Sequence, residues 1–184
     1  MSRPLPTTAL VDATRADGVQ VLHVLLPAHD WVPNHPRFPI LVYRRALDPT
    51  TEDLAGAFEA RLASNGWPAQ WRDGIFDYHH FHSTAHEALG VFAGRAELTI
   101  GGPDGLPLTV EAGDLLVLPA GTGHCLRSAT DDFQVVGAYP RGQHADICRA
   151  APSAAQRAAL HAVPVPDADP LDGESGPLCL LWRT

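Results

Sequence analysis

The amino-acid sequence predicts an all-β fold, either a sandwich or a barrel of short strands. Seventeen prolines and sixteen glycines punctuate short runs rich in Val, Ile, Leu, Phe and Tyr, a pattern typical of many strands joined by turns. No internal repeat or low-complexity linker divides the 184 residues. We therefore treat residues 1–184 as a single domain, which is long enough to bury about 70% of its unfolded surface.

Nine segments have the alternation or the apolar content of a β-strand. They are residues 19–26, 38–46, 75–82, 87–94, 95–102, 106–112, 114–120, 123–129 and 132–140. A further strand is predicted at the apolar run "LCLLW", residues 178–182.

Two segments have helical character. The first is predicted between Thr50 and Gly66, because Leu54, Phe58 and Leu62 recur every four residues. Thr50 or the following threonine is the expected cap of its first turn. A second, shorter helix is predicted over residues 152–163.

Composition excludes several classes of function. A net charge of −8 indicates an acidic protein, which disfavours nucleic acid as a partner. The N-terminus has no apolar signal region, and no stretch approaches the ~20 apolar residues of a membrane span, so we expect a cytoplasmic protein without membrane contact. Three cysteines, at positions 125, 148 and 179, form no C-x-x-C pair; we expect reduced, mostly buried thiols.

A cluster of histidines is the strongest chemical signal. His79, His80, His82 and His86 lie within eight positions and are followed by Glu87. Side chains alternate between the two faces of a strand. A strand over residues 75–82 would therefore place Tyr78, His80 and His82 on one face and His79 on the other. His80 and His82 can share a metal that His79 cannot join.

Further ligands are expected from the segments that follow. Residues 83–86 resemble a reversal between two strands, after which either His86 or Glu87 can point inward; spacing alone leaves that choice open. His124 lies beyond a turn at Pro119 and Gly121 and can face the pair across a barrel. With Glu87, three imidazoles and one carboxylate suit Fe, Mn, Ni, Zn or Cu better than Ca or Mg.

Two segments resemble the signature motifs of the cupin superfamily. They are Gly74-x5-His80-x-His82-x4-Glu87-x6-Gly94 and Gly113-x5-Pro119-x-Gly121-x2-His124-x3-Ser128. Ser128 stands where the motif usually has Asn, which is not a ligand. The resemblance implies a jelly-roll barrel, or double-stranded β-helix, with its core at about residues 70–140, between N-terminal strands plus a helix and a C-terminal extension. It also implies that His80, His82, Glu87 and His124 bind one divalent transition metal, with His86 directed outward or behind the ligands.

A wider resemblance covers most of the chain. "GWPAQWRDGIFDYHHFHSTAHEALGVFAG" and "GDLLVLPAGTGH" are similar to the bacterial YjlB-like cupins, which have an RmlC-like jelly roll. This similarity implies the fold and a metal, but no substrate.

A site of this kind leaves metal positions open, as catalytic sites do. We expect a small-molecule enzyme, first of all a dioxygenase-type oxidoreductase in which Glu87 is a ligand able to act as a base. The alternatives are a non-redox isomerase or lyase, with Tyr78 moving a proton, and a cupin that binds a metabolite without turnover. Tyr78 is otherwise a barrel-filling aromatic residue. A homodimer would cover exposed sheet edges.

Overall fold

The computed structural model describes residues 11–14 and 19–183, which form mainly β-structure. The strands are β1 (Val11–Thr14), β2 (Gln20–Val24), β3 (Ile40–Arg44), β4 (Ala69–Asp73), β5 (Glu87–Ala93), β6 (Arg95–Ile100), β7 (Leu106–Glu111), β8 (Leu115–Leu118), β9 (His124–Ala129) and β10 (Gln134–Ala138). The helices are α1 (Leu54–Ser64), α2 (Ala154–Ala162) and α3 (Pro177–Trp182). None of the helices in these ranges is long and apolar enough to cross a membrane.

The strands form two antiparallel sheets that pack face to face. One sheet has seven strands in the order β1-β2-β3-β8-β5-β10-β4, and the other has three in the order β7-β6-β9. Apolar residues from both sheets share one buried cluster, which includes Val42, Leu89, Leu98 and Leu108. We call this cluster the inner core. The prediction of an all-β jelly roll is confirmed.

The central strands of the large sheet, β3, β8, β5 and β10, are buried on both of their faces. Along β8, Leu116 and Leu118 enter the inner core, whereas Leu115 and Val117 enter a second cluster that contains α1 and the C-terminal segment. We call this second cluster the outer core. A strand covered on both faces has apolar residues at successive positions rather than at alternate ones, which explains the unbroken run of β8.

Strand β5 follows the same alternation and fixes the orientation of the site. Leu89 and Val91 lie in the inner core, and Ala88 lies in the outer core. Gly90 faces α1 so closely that an added Cβ would lie 2.7 Å from the Phe58 ring. Since side chains alternate, the first residue of β5 points to the inner side of the sheet.

Helix α1 begins later than the sequence predicted. Its N-cap is Asp53, whose Oδ1 accepts a hydrogen bond from the Gly56 amide at 2.9 Å, and neither Thr50 nor Thr51 caps it. The reason is local: the amide and the hydroxyl of Thr50 both donate to Oδ1 of Asp48. This threonine therefore belongs to the preceding turn.

The predicted strand over residues 75–82 is wrong as a regular element. The strand in this region is β4, which ends at Asp73 and pairs with β10. The chain bends at Asp77 and Tyr78. Within residues 75–82, His80 and Phe81 are the residues that make isolated β-bridges, His80 to His124 and Phe81 to Cys148. Alternation therefore holds locally at the histidines but not back to Tyr78.

The predicted strand at residues 178–182 is also wrong, because this segment belongs to α3. Pro177 occupies the first turn of α3, where its missing amide hydrogen is not needed. The buried carboxylate of Asp169 accepts from the Leu178 amide at 2.9 Å and from the Tyr43 hydroxyl. These contacts attach α3 to the large sheet and complete the outer core.

Candidate metal centre

Three histidines from two segments converge on one point. The ligand atoms of His80, His82 and His124 lie within 4.8 Å of one another, and all three side chains are buried. His80 is held beside His124 by reciprocal backbone hydrogen bonds of 3.2 and 2.9 Å. The carbonyl of His82 accepts a hydrogen bond from the Gly121 amide at 2.7 Å. The turn before β9 therefore also holds His82 in place.

Backbone carbonyls fix the tautomer of each imidazole. Nδ1 of His80 contacts the Tyr78 carbonyl at 3.1 Å, and Nδ1 of His124 contacts the Thr122 carbonyl at 3.1 Å. Nδ1 of His82 contacts the Asp146 carbonyl. A carbonyl oxygen only accepts hydrogen bonds, so Nδ1 carries the hydrogen in all three rings. Each Nε2 is then the atom available to a metal.

Glu87 adds a carboxylate to this group. Its Oε2 lies 3.3 Å from Nε2 of both His82 and His124. Its Oε1 accepts a hydrogen bond of 3.1 Å from the Tyr139 hydroxyl, which accepts one of 2.9 Å from the Trp71 indole. Oε2 is buried and has no hydrogen-bond partner among the residues that the structure describes.

The electrostatics of the group are dominated by burial and by one ion pair. Burial opposes a charge on His82, but the Glu87 carboxylate outweighs it and raises the pKa of His82 to about 9. Burial likewise opposes ionisation of Glu87, yet His82 holds the pKa of this carboxyl well below its usual range. Burial, reinforced by the charge of His124, lowers the pKa of His80 to about 3.

These residues fit a divalent transition metal. A buried carboxylate needs a cation to compensate its charge; without a metal the protonated His82 compensates Glu87, and a bound metal would replace the proton that His82 loses on ligation. Three Nε2 atoms and one carboxylate oxygen form the donor set that Fe, Mn, Ni, Zn and Cu accept. Glu87 lies outside the group of three, but its Oε2 is 3.3 Å from Nε2 of both His82 and His124, so its carboxylate is the candidate fourth donor.

Neither neighbouring histidine belongs to the group, and His86 lies on the opposite face of the sheet. His86 is fully buried and contacts Trp182 of the outer core, with ring centroids 4.8 Å apart. Its Nδ1 accepts from the Ala120 amide at 2.9 Å. His79 does not belong to the group of three. The structure therefore places Glu87 on the inner side and His86 behind it, in the arrangement that the motif implied.

Tyr78 is placed differently from the expectation. Its ring stacks on Phe76 with centroids 4.7 Å apart, and the Arg149 guanidinium lies 3.8 Å above it. Tyr78 is absent from the described residues that line the cavity over the histidines. Its ring nevertheless lies beside that of His80, with centroids 5.5 Å apart, and the chain bends at residues 77–78.

Sequence reasoning missed three residues that support the ligands. Tyr139, directly after β10, donates to Glu87, and Trp71 of β4 donates to Tyr139. The carbonyl of Asp146, further along the same segment, contacts His82. The Asp146 carboxylate also accepts from the amide and the hydroxyl of Ser83. Trp71 and Tyr139 lie in two segments of the wider resemblance, "GWPAQWRDGIFDYHHFHSTAHEALGVFAG" and "FQVVGAYPRGQ", whereas no sequence signal pointed to Asp146.

A cavity of about 360 Å³ opens over the four donors. His80, His82, Glu87 and His124 form one part of its lining, and the remaining walls are mainly apolar and aromatic. The volume is at the small end of the range for ligand pockets, about 300–1,000 Å³. A metal here would be accessible to a small molecule, so fold and site together define a β-barrel protein with an open, metal-capable centre.

Comparison with known proteins identifies the family. The family model described as a cupin domain matches residues 73–136. The uncharacterized protein YjlB of Bacillus subtilis is 37% identical over 153 residues, which cover 82% of this chain and 90% of that protein. The chain therefore belongs to the YjlB-like cupins.

Two solved structures show a more distant similarity. A DUF861 family protein from Thermotoga maritima is 21% identical, with 53% of this chain and 96% of that chain covered and a TM-score of 0.35. Acireductone dioxygenase from Bacillus anthracis, with cadmium in its active centre, is 21% identical, with 65% and 76% covered and a TM-score of 0.36.

The ligand assignment predicts a specific pattern of metal loss. His80→Ala, His82→Ala and His124→Ala should each abolish stoichiometric binding or weaken it severely, because each removes one Nε2 donor. The measurement is metal content per folded chain after reconstitution. His79→Ala and His86→Ala are the controls and should keep the metal. Loss in His86→Ala with retention in Glu87→Ala would exchange the roles of these two residues.

Asp146 is predicted to act on the metal through His82. Asp146→Ala removes the carboxylate that anchors this segment to Ser83, so the carbonyl that orients the His82 ring is no longer held in place. Metal affinity should fall by about 10- to 100-fold, the usual effect of losing a group that orients a ligand. Competition with a chromophoric chelator measures it. Asp132→Ala, at an exposed position before β10, should be neutral; equal affinities in the two variants would contradict the prediction.

Metal binding is predicted to release a proton from His82. A pKa raised to about 9 keeps this ring protonated at pH 7.5, whereas ligation needs its neutral form. Titration calorimetry with Co(II) in buffers of different ionisation enthalpy should detect about one proton released per ion at pH 7.5 and less above pH 9. Glu87→Gln removes the charge that raises the pKa and should lower the release. A release unchanged in that variant would assign the proton to another group.

Proposed function

We propose that this cupin is a metal-dependent oxidoreductase of the dioxygenase type, acting on a small molecule at His80, His82, His124 and Glu87. One observation carries the proposal. Three imidazoles and one carboxylate oxygen lie together beneath an open cavity. Each imidazole is fixed by a backbone carbonyl at Nδ1, and Oε2 of Glu87 has no hydrogen bond within the described part of the chain. Four protein donors leave up to two positions on a six-coordinate ion, which distinguishes a catalytic site from a closed structural one.

When bound, the metal supplies Lewis acidity and, for a redox-active ion, electrons for the activation of dioxygen. The protein supplies the geometry. Tyr139 donates to Oε1 of Glu87 and so leaves Oε2 directed at the histidines. The Trp71 indole donates in turn to Tyr139, which fixes the hydroxyl hydrogen toward the carboxylate. Leu89 and neighbouring apolar residues restrict water around the donors.

A non-redox isomerase or lyase is the second candidate, and Tyr139 favours it. Tyr139 lines the cavity beside Glu87. Burial and the Glu87 carboxylate raise the pKa of Tyr139 above its usual range, so it stays protonated and is a hydrogen-bond donor. In this alternative Tyr139 donates to a substrate oxygen, a role that the sequence had suggested for Tyr78.

The test combines elemental analysis of untagged protein with oxygen uptake. Protein loaded with Fe(II), Mn(II), Ni(II) or Cu(II) is supplied with enediol and catechol-like compounds. We expect close to one metal per chain and substrate-dependent oxygen uptake that His124→Ala abolishes and His79→Ala retains. Bound metal with turnover but no oxygen uptake would favour the isomerase or lyase. Bound metal with substrate binding but no turnover would indicate a metabolite-binding cupin.

Tyr139→Phe distinguishes the two roles of the hydroxyl. If Tyr139 only positions Glu87, the variant should lose metal affinity by about 10-fold or less and recover kcat once the site is saturated with metal. If Tyr139 donates to the substrate, kcat should fall by about 100-fold or more at full metal occupancy. Measurement of kcat against metal content separates these outcomes.

A further inference from the structure

We infer that the cavity selects an uncharged or singly charged oxygen chelator carried on an apolar body, and that it discriminates against small dianions such as oxalate. This inference rests on the proposed metal site and names the class of ligand that the site accepts. Four features of the cavity carry it: the absence of cationic side chains from its lining, an acidic residue at its rim, an apolar mouth and a rigid aromatic wall.

The first feature is the charge of the lining. Among the described residues that line the cavity there is no lysine and no arginine. Arg149 is close to this region, but its guanidinium lies over the Tyr78 ring, and neither residue is part of the lining. A small dianion generally needs such a group to balance its second charge in a buried site.

The formal charge of the metal and its four donors also disfavours a dianion. With neutral imidazoles and an ionised Glu87, a divalent ion leaves one formal positive charge. A singly charged chelator neutralises it, whereas a dianion leaves a net negative charge in a largely buried site, which is unfavourable. The exposed Asp73 also lines the cavity and adds a second carboxylate on the approach.

The mouth of the cavity is apolar. Phe76 and Ile147 both line the cavity and are 45% and 53% exposed. Across the described ranges the other large hydrophobic residues with high exposure are Leu25 and Leu180, neither of which lines it. Exposed apolar side chains gathered at an opening indicate a binding surface. Here they would contact the part of the ligand that extends away from the metal.

Trp71 forms an aromatic part of the cavity wall, and its position is restricted by the backbone behind it. The Trp71 ring lies on Gly137 so closely that an added Cβ there would be 2.0 Å from it. Its indole hydrogen is donated to Tyr139. Trp71 therefore offers the ligand the surface of its ring and no free donor. Because Trp71 and Phe76 both line the cavity, we expect it to accept a flat or ring-shaped apolar body.

The experiment uses protein loaded with Co(II), whose visible absorption reports changes in coordination without turnover. Under nitrogen, the protein is titrated with 4-tert-butylcatechol, catechol and oxalate, and each Kd is corrected for the affinity of the same compound for aqueous Co(II). We expect 4-tert-butylcatechol to bind about tenfold tighter than catechol, since burial of its added carbons contributes on that order. Oxalate should bind more weakly than both after correction.

Ile147→Arg tests the cause. A cation at the mouth should tighten oxalate by about fivefold and weaken 4-tert-butylcatechol, because it replaces apolar contact with charge. Ile147 is half exposed, so the substitution is compatible with folding. Leu180→Arg places the same charge on exposed α3, outside the cavity, and should leave both affinities unchanged.

The outcomes separate this inference from the proposed function. Oxalate binding as tightly as the alkylcatechol after correction, or an Ile147→Arg variant with unaltered preference, would overturn the inference even if the protein consumed oxygen. The expected preference without oxygen uptake would support the inference and overturn the dioxygenase. Failure to load any metal would overturn both.

Discussion

The position of the candidate metal centre depends on strand β5 of the seven-stranded sheet, because both faces of this strand are buried. Because β5 is covered by the inner core on one side and by α1 on the other, its register cannot slip by one residue without moving every side chain to the wrong layer. The close approach of Gly90 to Phe58 excludes a larger side chain there. That register directs Glu87 to the histidines and His86 to Trp182.

A buried carboxylate is the second constraint. Glu87 is 2% exposed, so its ionised form is stable only where partners replace the water that it has lost. Tyr139 satisfies one oxygen and the imidazoles face the other. The hydrogen bonds at each Nδ1 then hold the rings in place, so that the donors are arranged before an ion arrives. Preorganisation of this kind removes the cost of ordering ligands at the moment of binding.

The convergence of His80, His82 and His124 was predictable from the sequence, and Glu87 was proposed from the motif. Two-residue periodicity brings His80 and His82 together, and the motif spacing supplies Glu87 and His124. Periodicity alone did not choose between His86 and Glu87, since the choice depends on which core each face of β5 meets. The cupin resemblance favoured Glu87 as the ligand. In the structure Glu87 lies on the side of the inner core and His86 on the side of the outer core.

The supporting residues were not predictable from spacing, because they approach from distant segments. Tyr139 is 52 positions from Glu87, and Asp146 is 64 positions from His82. The error at Tyr78 arose from extending strand alternation through a bend. The error at residues 178–182 arose because a short apolar run has no periodicity that separates strand from helix. Pro177 and the contact of Asp169 with the Leu178 amide decide that element.

One segment, residues 139–148, joins the wall of the cavity to the geometry of the donors. It begins with Tyr139, which holds Glu87, and contains the Asp146 carbonyl, which holds His82. Ala145 and Ile147, on either side of Asp146, line the cavity. A ligand that contacts Ile147 therefore touches the same short stretch of backbone that orients His82. The cavity wall at Ile147 and the carbonyl that orients His82 therefore belong to adjacent residues of one short segment.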